Sequence, residues 1–498
     1  MNLRKKAAKG VVWSIIQKWG RAGISTISFI VLARILPPEA FGLVALATVF
    51  TAFVEIFLDN GFTAAIVQRE DLEPEHLDTA FWTSVLMGVI LTVVGILLSG
   101  FVASLFKEPD LEPILEWLSV SFVIIALSST QVAILQRELA FKSLAARSLA
   151  ATAVGGIVGV GMALAGFGVW SLVGQTLANA VAAAIVLWRA SNWRPGFRYS
   201  GKHFKELFSF GISIIGNKIL VFFNRRTDDF LIGYYLGPTM LGYYTIGYRL
   251  LLVLIRVATN IINTVAFPTF SRLQDQPEKM RRAFYKVTQY TSLIAMPVFL
   301  GMAVLAPELV FTFFGEKWAP SIPVMQILAF IGILQSILLF NGDVMKASGK
   351  PNWDFGIMLL TTACSVIGFS IAVQWGIVAV ATSFVIAGYL VAPVSFFAVR
   401  KLIHIDFKTY FLQFVTPLTA SLLMVATVIL LKNLLKNVDL HIYVELSIYL
   451  IVGGLTYILI ILIFAKQLSR QVLELIFDVI PDNRLRVLFT PLEKYFLK

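Results

Sequence analysis

The sequence predicts an all-α polytopic membrane protein of about 14 transmembrane helices, in two pseudo-symmetric six-helix lobes followed by two C-terminal helices. Three observations carry this. The 498-residue chain is 58% hydrophobic and 14% charged, with a mean hydropathy of +0.82. Apolar stretches of about 20 residues, enough to cross the hydrocarbon core as a helix, recur along its whole length. Proline, glycine and polar punctuation recurs at an offset near 200 residues.

Hydropathy and helix breakers place the spans at roughly 10–34, 42–66, 79–105, 113–135, 148–166, 168–188, 207–233, 241–268, 286–313, 322–345, 353–374, 376–398, 409–431 and 442–465. The opening, "MNLRKKAAKG", has the charge of a signal-peptide start. The apolar stretch behind it carries Gln17, Lys18 and Arg21 and no A-x-A site, so it is expected to remain as the first helix. The predicted organisation is an N-lobe (1–190), a cytoplasmic linker (191–206), a C-lobe (207–400), spans 13 and 14 (401–466) and a tail (467–498). The tail mixes Leu, Ile and Phe with Arg, Lys and Glu at helical spacing, which predicts a cytoplasmic amphipathic helix.

Charge sets the orientation. With the N-terminus inside, cytoplasmic segments hold 29 of the 41 Lys and Arg, and the opposite connectors hold five: Arg34, Lys107, Lys317, Lys432 and Lys436. Both termini are therefore expected in the cytoplasm. The net charge of +12 reflects this topology and anionic headgroups, and nucleic acid is not an expected partner. The single cysteine, Cys364, excludes an intramolecular disulfide or a cysteine metal cluster. The four histidines, His76, His203, His404 and His441, are scattered in or beside polar connectors, and no metal site is expected. "DLEPEHLD" (71–78) reads as a solvated cytoplasmic loop.

The repeat pairs Ile15 with Ile215, Lys18 with Lys218, Leu36 with Leu236, Pro38 with Pro238, Gly42 with Gly242 and Asn60 with Asn260. Further on, Pro113 and Leu118 match Pro323 and Leu328, and Gly168 matches Gly376. Six spans separate the halves, so the repeats run parallel about an axis along the membrane normal. Two such bundles around a midplane cavity are a transporter architecture.

Seven basic residues remain inside spans: Lys18, Arg21, Lys218, Arg225, Arg226, Arg249 and Arg256. A charge at the bilayer centre costs at least ~2.5–3.5 kcal/mol, so such residues face a partner or a cavity. Lys18 and Arg21 share a helix face, as do Lys218 and Arg225, while Arg249, Arg256, Asn260 and Asn263 form a stripe on span 8. The inner acids are Glu55 and Asp59 on span 2, Asp228 and Asp229 on span 7, and Asp343 on span 10. Local pairing of Arg225 or Arg226 with Asp229 is one reading, and neutralisation of Lys18 and Arg21 by Glu55 and Asp59 another. Lys18, Arg21, Arg249 and Arg256 have no acid nearby on their own helices, which predicts a cationic central cavity suited to an anionic, lipid-soluble cargo. Its expected lining is Lys18, Arg21, Lys218, Arg225, Arg249, Arg256 and Asn260. Glu55, Asp59 and Asp343 are candidates for ion coupling. No cofactor is expected, the coupling ion being H+ or Na+. "GGIVGVG" (155–161) has the small-residue spacing of helix packing. Tyr243, Tyr244 and Tyr248 read as an interfacial belt, with sugar stacking as the alternative.

"KGVVWSIIQKW" (9–19), "VLARILPPEAFG" (31–42), "LDNGFTAAIVQRE" (58–70), "WRPGF" (193–197) and "FGEKW" (314–318) together resemble the polysaccharide flippases of the Wzx type. The closest likeness is to the branch exporting colanic-acid-like and teichuronic-acid-like repeat units, in the superfamily of the multidrug extruders and lipid II flippases. The resemblance runs from the first residues through span 12. It implies a bacterial inner-membrane protein that moves an undecaprenyl-diphosphate-linked oligosaccharide outward for surface polysaccharide biosynthesis, by alternating access. It also implies that basic residues on spans 1 and 8 receive the diphosphate, a role that falls by position on Lys18, Arg21, Arg249 and Arg256, with Lys218 and Arg225 second. Membrane lipids and the polymerase machinery are the further partners implied.

Two other readings are weighed against this. A multidrug or cation extruder of the same superfamily favours an acidic cavity, and the inner residues are mostly basic. A lipid II-type flippase is a further alternative. A membrane glycosyltransferase or polymerase needs catalytic groups on a large outer loop, and the outside connectors here are short and hold no paired carboxylates. The expectation is a transporter, not an enzyme.

Overall fold

The structure, a computed structural model, describes residues 3–58, 62–69 and 71–464; within these, the side chains of 3–9, 11, 209–215, 217, 260–261 and 263–265 lie outside the description. The predicted tail helix also lies outside the described residues. The described elements are all helical. In order they are α1 (Leu3–Ile35), α2 (Pro38–Leu58), α3 (Phe62–Gln68), α4 (Pro74–Phe106), α5 (Leu111–Arg137), α6 (Phe141–Leu164), α7 (Trp170–Ala190) and α8 (Gly201–Arg272). There follow α9 (Pro277–Val304), α10 (Ala306–Phe313), α11 (Ser321–Ala347), α12 (Pro351–Ala372), α13 (Ile377–Ile403), α14 (Phe407–Leu435) and α15 (Ile442–Phe464).

Among the described residues, twelve segments are long and apolar enough to cross a membrane. One of them, Lys218–Thr259, contains a break at Gly237 (φ 82°, ψ 174°), a backbone conformation open to glycine, and so counts as two. Pro238 opens the second arm, where its missing N–H leaves no helix bond unmade. With α1, whose length suffices but which carries Lys18 and Arg21, these give the fourteen expected spans.

The chain forms two compact units. The first takes in the chain up to Ile246 with 313–318 and 365–380; the second takes in 247–312, 319–364 and the chain from Ala381 on. In lipid, helices gain little from burying apolar surface, so close approach of small residues and polar contacts must hold each unit. In the first unit the glycines of α6 do this. A Cβ on Gly155 or Gly159 would lie 2.8 Å from Gln175 of α7, and one on Gly156 would lie 2.3 Å from the Ser28 hydroxyl of α1. The packing reading of "GGIVGVG" holds for these three glycines, while Gly161 is exposed with nothing within 4 Å of a Cβ. At the C-terminal end of α1, two of the quoted segments lock together. Trp318 Nε1 donates to the Ala33 carbonyl at 2.8 Å, and Lys317 Nζ to the carbonyls of Arg34 and Leu36 at 2.9 and 2.7 Å. Trp318 is fully buried, edge-on to Phe41.

The "WRPGF" linker is likewise pinned. Asp78 accepts from the Gly196 amide at 2.9 Å, Trp82 Nε1 donates to the Gly196 carbonyl at 2.7 Å, and Phe197 stacks on Trp82. This corrects the reading of 71–78 as a solvated loop. Pro74 begins α4, and His76 and Asp78 are buried because the linker folds over them.

The second unit is built on aromatic rings. Tyr410 is fully buried among Phe284, Phe396 and Phe414, with Phe270 and Phe340 in the same cluster. Aromatic pairs of this kind contribute roughly 0.5–1.5 kcal/mol each beyond area burial. The two last helices dock on α9 and α10. Tyr457 donates to the Leu293 carbonyl at 2.8 Å, and Lys432 pairs with Glu308 at 2.7 Å.

Candidate functional site

The first unit contains a cavity of ≈ 580 Å³ built from six helices. Its volume lies in the ~300–1,000 Å³ range of ligand pockets. From α2 come Glu55 and Ile56, from α3 Phe62 and Thr63, from α4 Ser84, from α5 Ser129, Thr130 and Gln136, from α6 Arg147 and from α8 Lys218. The lining lies toward the C-terminal ends of α2 and α5 and the N-terminal portions of α4, α6 and α8, so the cavity sits toward the end of the bundle bearing the α3–α4 and α5–α6 connectors. Two cations and one carboxylate share the lining with hydroxyls and an amide. A formal charge of +1 in the wall favours an anion, and the hydroxyls can bond a polyol.

Of the residues singled out in the sequence, Lys218 and Glu55 meet in this cavity. Lys18 and Arg21 are exposed on α1 of the same unit, three residues apart and so on one face. Arg249, half-buried, and Arg256, exposed, stand seven residues apart on α8 in the second unit, as does the half-buried Asp343 on α11. Asp59 and the side chain of Asn260 lie outside the described residues.

Arg225 is exposed, and the local ion pair forms instead between Arg226 and Asp229 at 2.9 Å. Asp228 is held by the hydroxyl of Tyr244, which donates to its Oδ2 at 2.8 Å, and by the amide of Asp229 at 3.0 Å on Oδ1. Tyr244 is therefore corrected from the interfacial belt to a fully buried partner of Asp228. Its phenol reaches back across the Gly237 break to the first arm of α8. The two acids and Arg226 of "NRRTDDF" thus make structural contacts, while Lys218 lines the cavity.

Sequence reasoning missed Arg147, which it placed in a cytoplasmic connector. Helix α6 begins at Phe141, so Arg147 lies inside it. A signal was present. Arg147, Ala151, Gly155 and Gly159 recur every fourth residue, and the last three form the buried face of α6.

A second polar cluster lies beside the linker. The rings of His76 and His203 stand 3.7 Å apart between centroids, so two histidines read as scattered in fact meet. Ligand atoms of Glu73, His76 and His203 lie within 4.8 Å of one another. However, His76 Nδ1 accepts from the Glu73 amide at 3.2 Å, which places the neutral ring's hydrogen on Nε2, 3.5 Å from Glu206 Oε2. The arrangement suits a shared-proton contact better than a metal. Burial raises the Glu206 carboxyl, but the Arg69 guanidinium at 2.8 Å and both imidazoles outweigh it and hold the group below the usual carboxylate range. A depressed carboxylate contributes stability above its unfolded pKa and loses it as pH falls through the folded one. E206Q is therefore expected to lower the Tm at pH 7, and the gap should close as the pH is taken down through the acid range. A gap that persists unchanged at acid pH would remove the charge contribution.

The chain matches the family described as "Polysaccharide biosynthesis protein" over residues 31–323. It is 27% identical over 437 residues to the lipopolysaccharide biosynthesis protein WzxC of Escherichia coli (strain K12), covering 85% of this chain and 87% of that one. It is also 27% identical to the succinoglycan biosynthesis transport protein ExoT of Rhizobium meliloti (strain 1021), covering 95% and 96% of the two chains. The fold is similar to that of the lipid II flippase MurJ in an inward closed conformation, with a TM-score of 0.75 at 14% identity over 92% of this chain and 99% of the other. The family match spans more than half of the sequence and takes in Glu55, Arg147 and Lys218, and the chain belongs to the polysaccharide biosynthesis protein family.

Proposed function

We propose that this protein is a flippase that moves an undecaprenyl-diphosphate-linked oligosaccharide repeat unit across the bacterial inner membrane for surface polysaccharide biosynthesis. It is a multi-pass membrane transporter and not an enzyme. The observation that carries the reading is the cavity of the first unit, whose lining holds Arg147, Lys218 and Glu55. A diphosphate carries about two negative charges, and a guanidinium fork bonds phosphate oxygens in pairs. Thr63, Ser84, Ser129, Thr130 and Gln136 supply hydroxyl and amide partners for the sugars. The polyprenyl tail stays in lipid, since nothing polar needs to cover it. Lys18 and Arg21 add exposed cations on α1 of the same unit, and Arg249 and Arg256 are the corresponding candidates on α8 in the second unit.

Glu55 lines the cavity with the two cations and offsets part of their charge. Arrival of the diphosphate competes with that carboxylate, which favours uptake of H+ or Na+ and links cargo binding to an ion. Asp343 is the corresponding candidate in the second unit. The topology that fits has both termini in the cytoplasm, with the polymerase machinery as a further partner. Depletion of the protein in cells making a surface polymer is expected to accumulate one complete repeat unit on undecaprenyl diphosphate, read by mass spectrometry of the glycolipid pool. An unchanged pool would overturn the proposal.

A further inference from the structure

We infer that the α13–α14 corner of the second unit is a binding site for the phosphate headgroup of an anionic membrane phospholipid. A cavity of ≈ 520 Å³ there is lined by Phe397, Arg400, Lys401, His404, Ile405 and Asp406. Its walls are fixed by neighbours. Arg281 of α9 donates to the His404 carbonyl at 3.1 Å, and Tyr285 accepts from the Asp406 amide at 2.8 Å. These bonds hold His404 at φ 52°, a left-handed turn uncommon outside glycine and asparagine, so the loop is a built feature.

The charge in the cavity is one-sided. Asp406, its one carboxylate among the described residues, is committed to capping α14, accepting from the Thr409 amide at 2.8 Å and from its hydroxyl at 2.5 Å. Those two bonds keep the Asp406 carboxyl below the usual carboxylate range, and its charge is spent on the helix start. Arg400 lies over the Phe407 ring at 4.8 Å and Lys401 over the Trp353 ring at 5.5 Å, with both side chains exposed. Cation–π contact orients these groups without neutralising them. Basic residues at a helix C-terminus complement its dipole, which accounts for one face of each side chain. It does not account for their convergence with His404 on a walled cavity.

The surface running from the cavity along both helices argues for a lipid and against a free anion. Leu390, Val394 and Phe397 on α13, and Phe411, Val415 and Leu418 on α14, are all exposed. Each set recurs at intervals of four and three residues and so forms one helix stripe. A headgroup phosphate held by Arg400 and Lys401 would lay its acyl chains along this apolar surface. Basic pockets between helices at the cytoplasmic boundary suit such headgroups.

The test uses the purified full-length protein, stripped of lipid and titrated with phosphatidylglycerol or phosphatidylcholine, with retention read by native mass spectrometry. The expected result is preferential retention of phosphatidylglycerol, reduced on the order of tenfold in R400Q/K401Q. The charge-keeping pair R400K/K401R should retain the preference, which separates charge from fold, and K205Q on α8 should leave it unchanged. Equal retention of both lipids, or an undiminished preference in R400Q/K401Q, would overturn the assignment. Displacement of phosphatidylglycerol by inorganic phosphate would also overturn it, by showing a site for free phosphate.

Discussion

Replacing Arg147 by glutamine is expected to reduce surface-polymer export on the order of ten- to a hundredfold while the protein still reaches the membrane. A hydrogen bond to a charged group contributes about 1.5–3 kcal/mol, and loss of one such contact to a diphosphate gives that range. Arg147 is half-buried in the cavity that Glu55 also lines, so its loss also leaves that carboxylate with one cation fewer in the wall. The two effects separate in the double variant. If Arg147 only balances Glu55, E55Q/R147Q should recover retention of the lipid-linked cargo by the purified protein, a readout that does not need the ion coupling assigned to Glu55. If Arg147 receives the cargo, the double variant stays defective and R147K recovers part of the activity. Full export by R147Q would remove the cavity from the transport path. Export per membrane-inserted molecule and the undecaprenyl-linked pool are the paired measurements, since a folding defect lowers total export without a change per inserted molecule.

The sequence foretold what the bilayer forces on a chain. About 20 apolar residues per crossing, with basic residues to one side, are required of any helical membrane protein, and the order of spans follows. Contacts between residues far apart in sequence were hidden. His76 meets His203, and Tyr244 meets Asp228, only because a linker folds back on α4 in one case and α8 breaks at Gly237 in the other. Arg147 was hidden for a different reason. Hydropathy places a charge at the edge of an apolar run outside the membrane by default, whereas α6 starts earlier than its apolar run. Within "NRRTDDF" the chemistry was legible and the pairing was not. Spacing allowed Arg225 or Arg226 to reach Asp229, and helix geometry selected the i,i+3 pair. The repeat was visible as matched letters, and its meaning is physical. Gly168 and Gly376, matched in the sequence, both take positive φ, at 57° and 93°. The matched Pro38, Gly42, Pro238 and Gly242 meet one another.

Substituting alanine for Gly42 or Gly242 is expected to lower export at least about tenfold, through a contact no side chain can relieve. A Cβ on Gly42 would fall 1.7 Å from the Pro238 carbonyl oxygen, and one on Gly242 would fall 2.1 Å from that of Pro38. Each glycine thus packs on the proline that opens the equivalent helix in the other repeat, and all four residues lie in the first unit. The neighbour is main chain, so a methyl group must drive the two helix starts apart by more than a rotamer change supplies. Overpacking a close contact costs typically ~1–3 kcal/mol, and the rigid prolines put these sites at the upper end. Two consequences are distinguishable. Were the contact permanent, either variant would lose folded protein and Tm together. In an alternating-access transporter such a reciprocal closure should hold in one state and open in the other. The alanine variants should then stay folded and favour the open state. Labelling reads this directly. A cysteine introduced at Val44, on a C364S background, should react faster with a membrane-impermeant maleimide in G42A and G242A than in the parent. Unchanged labelling with unchanged export in both variants would show that the two helix starts separate at no cost, and the closure would have no part in transport.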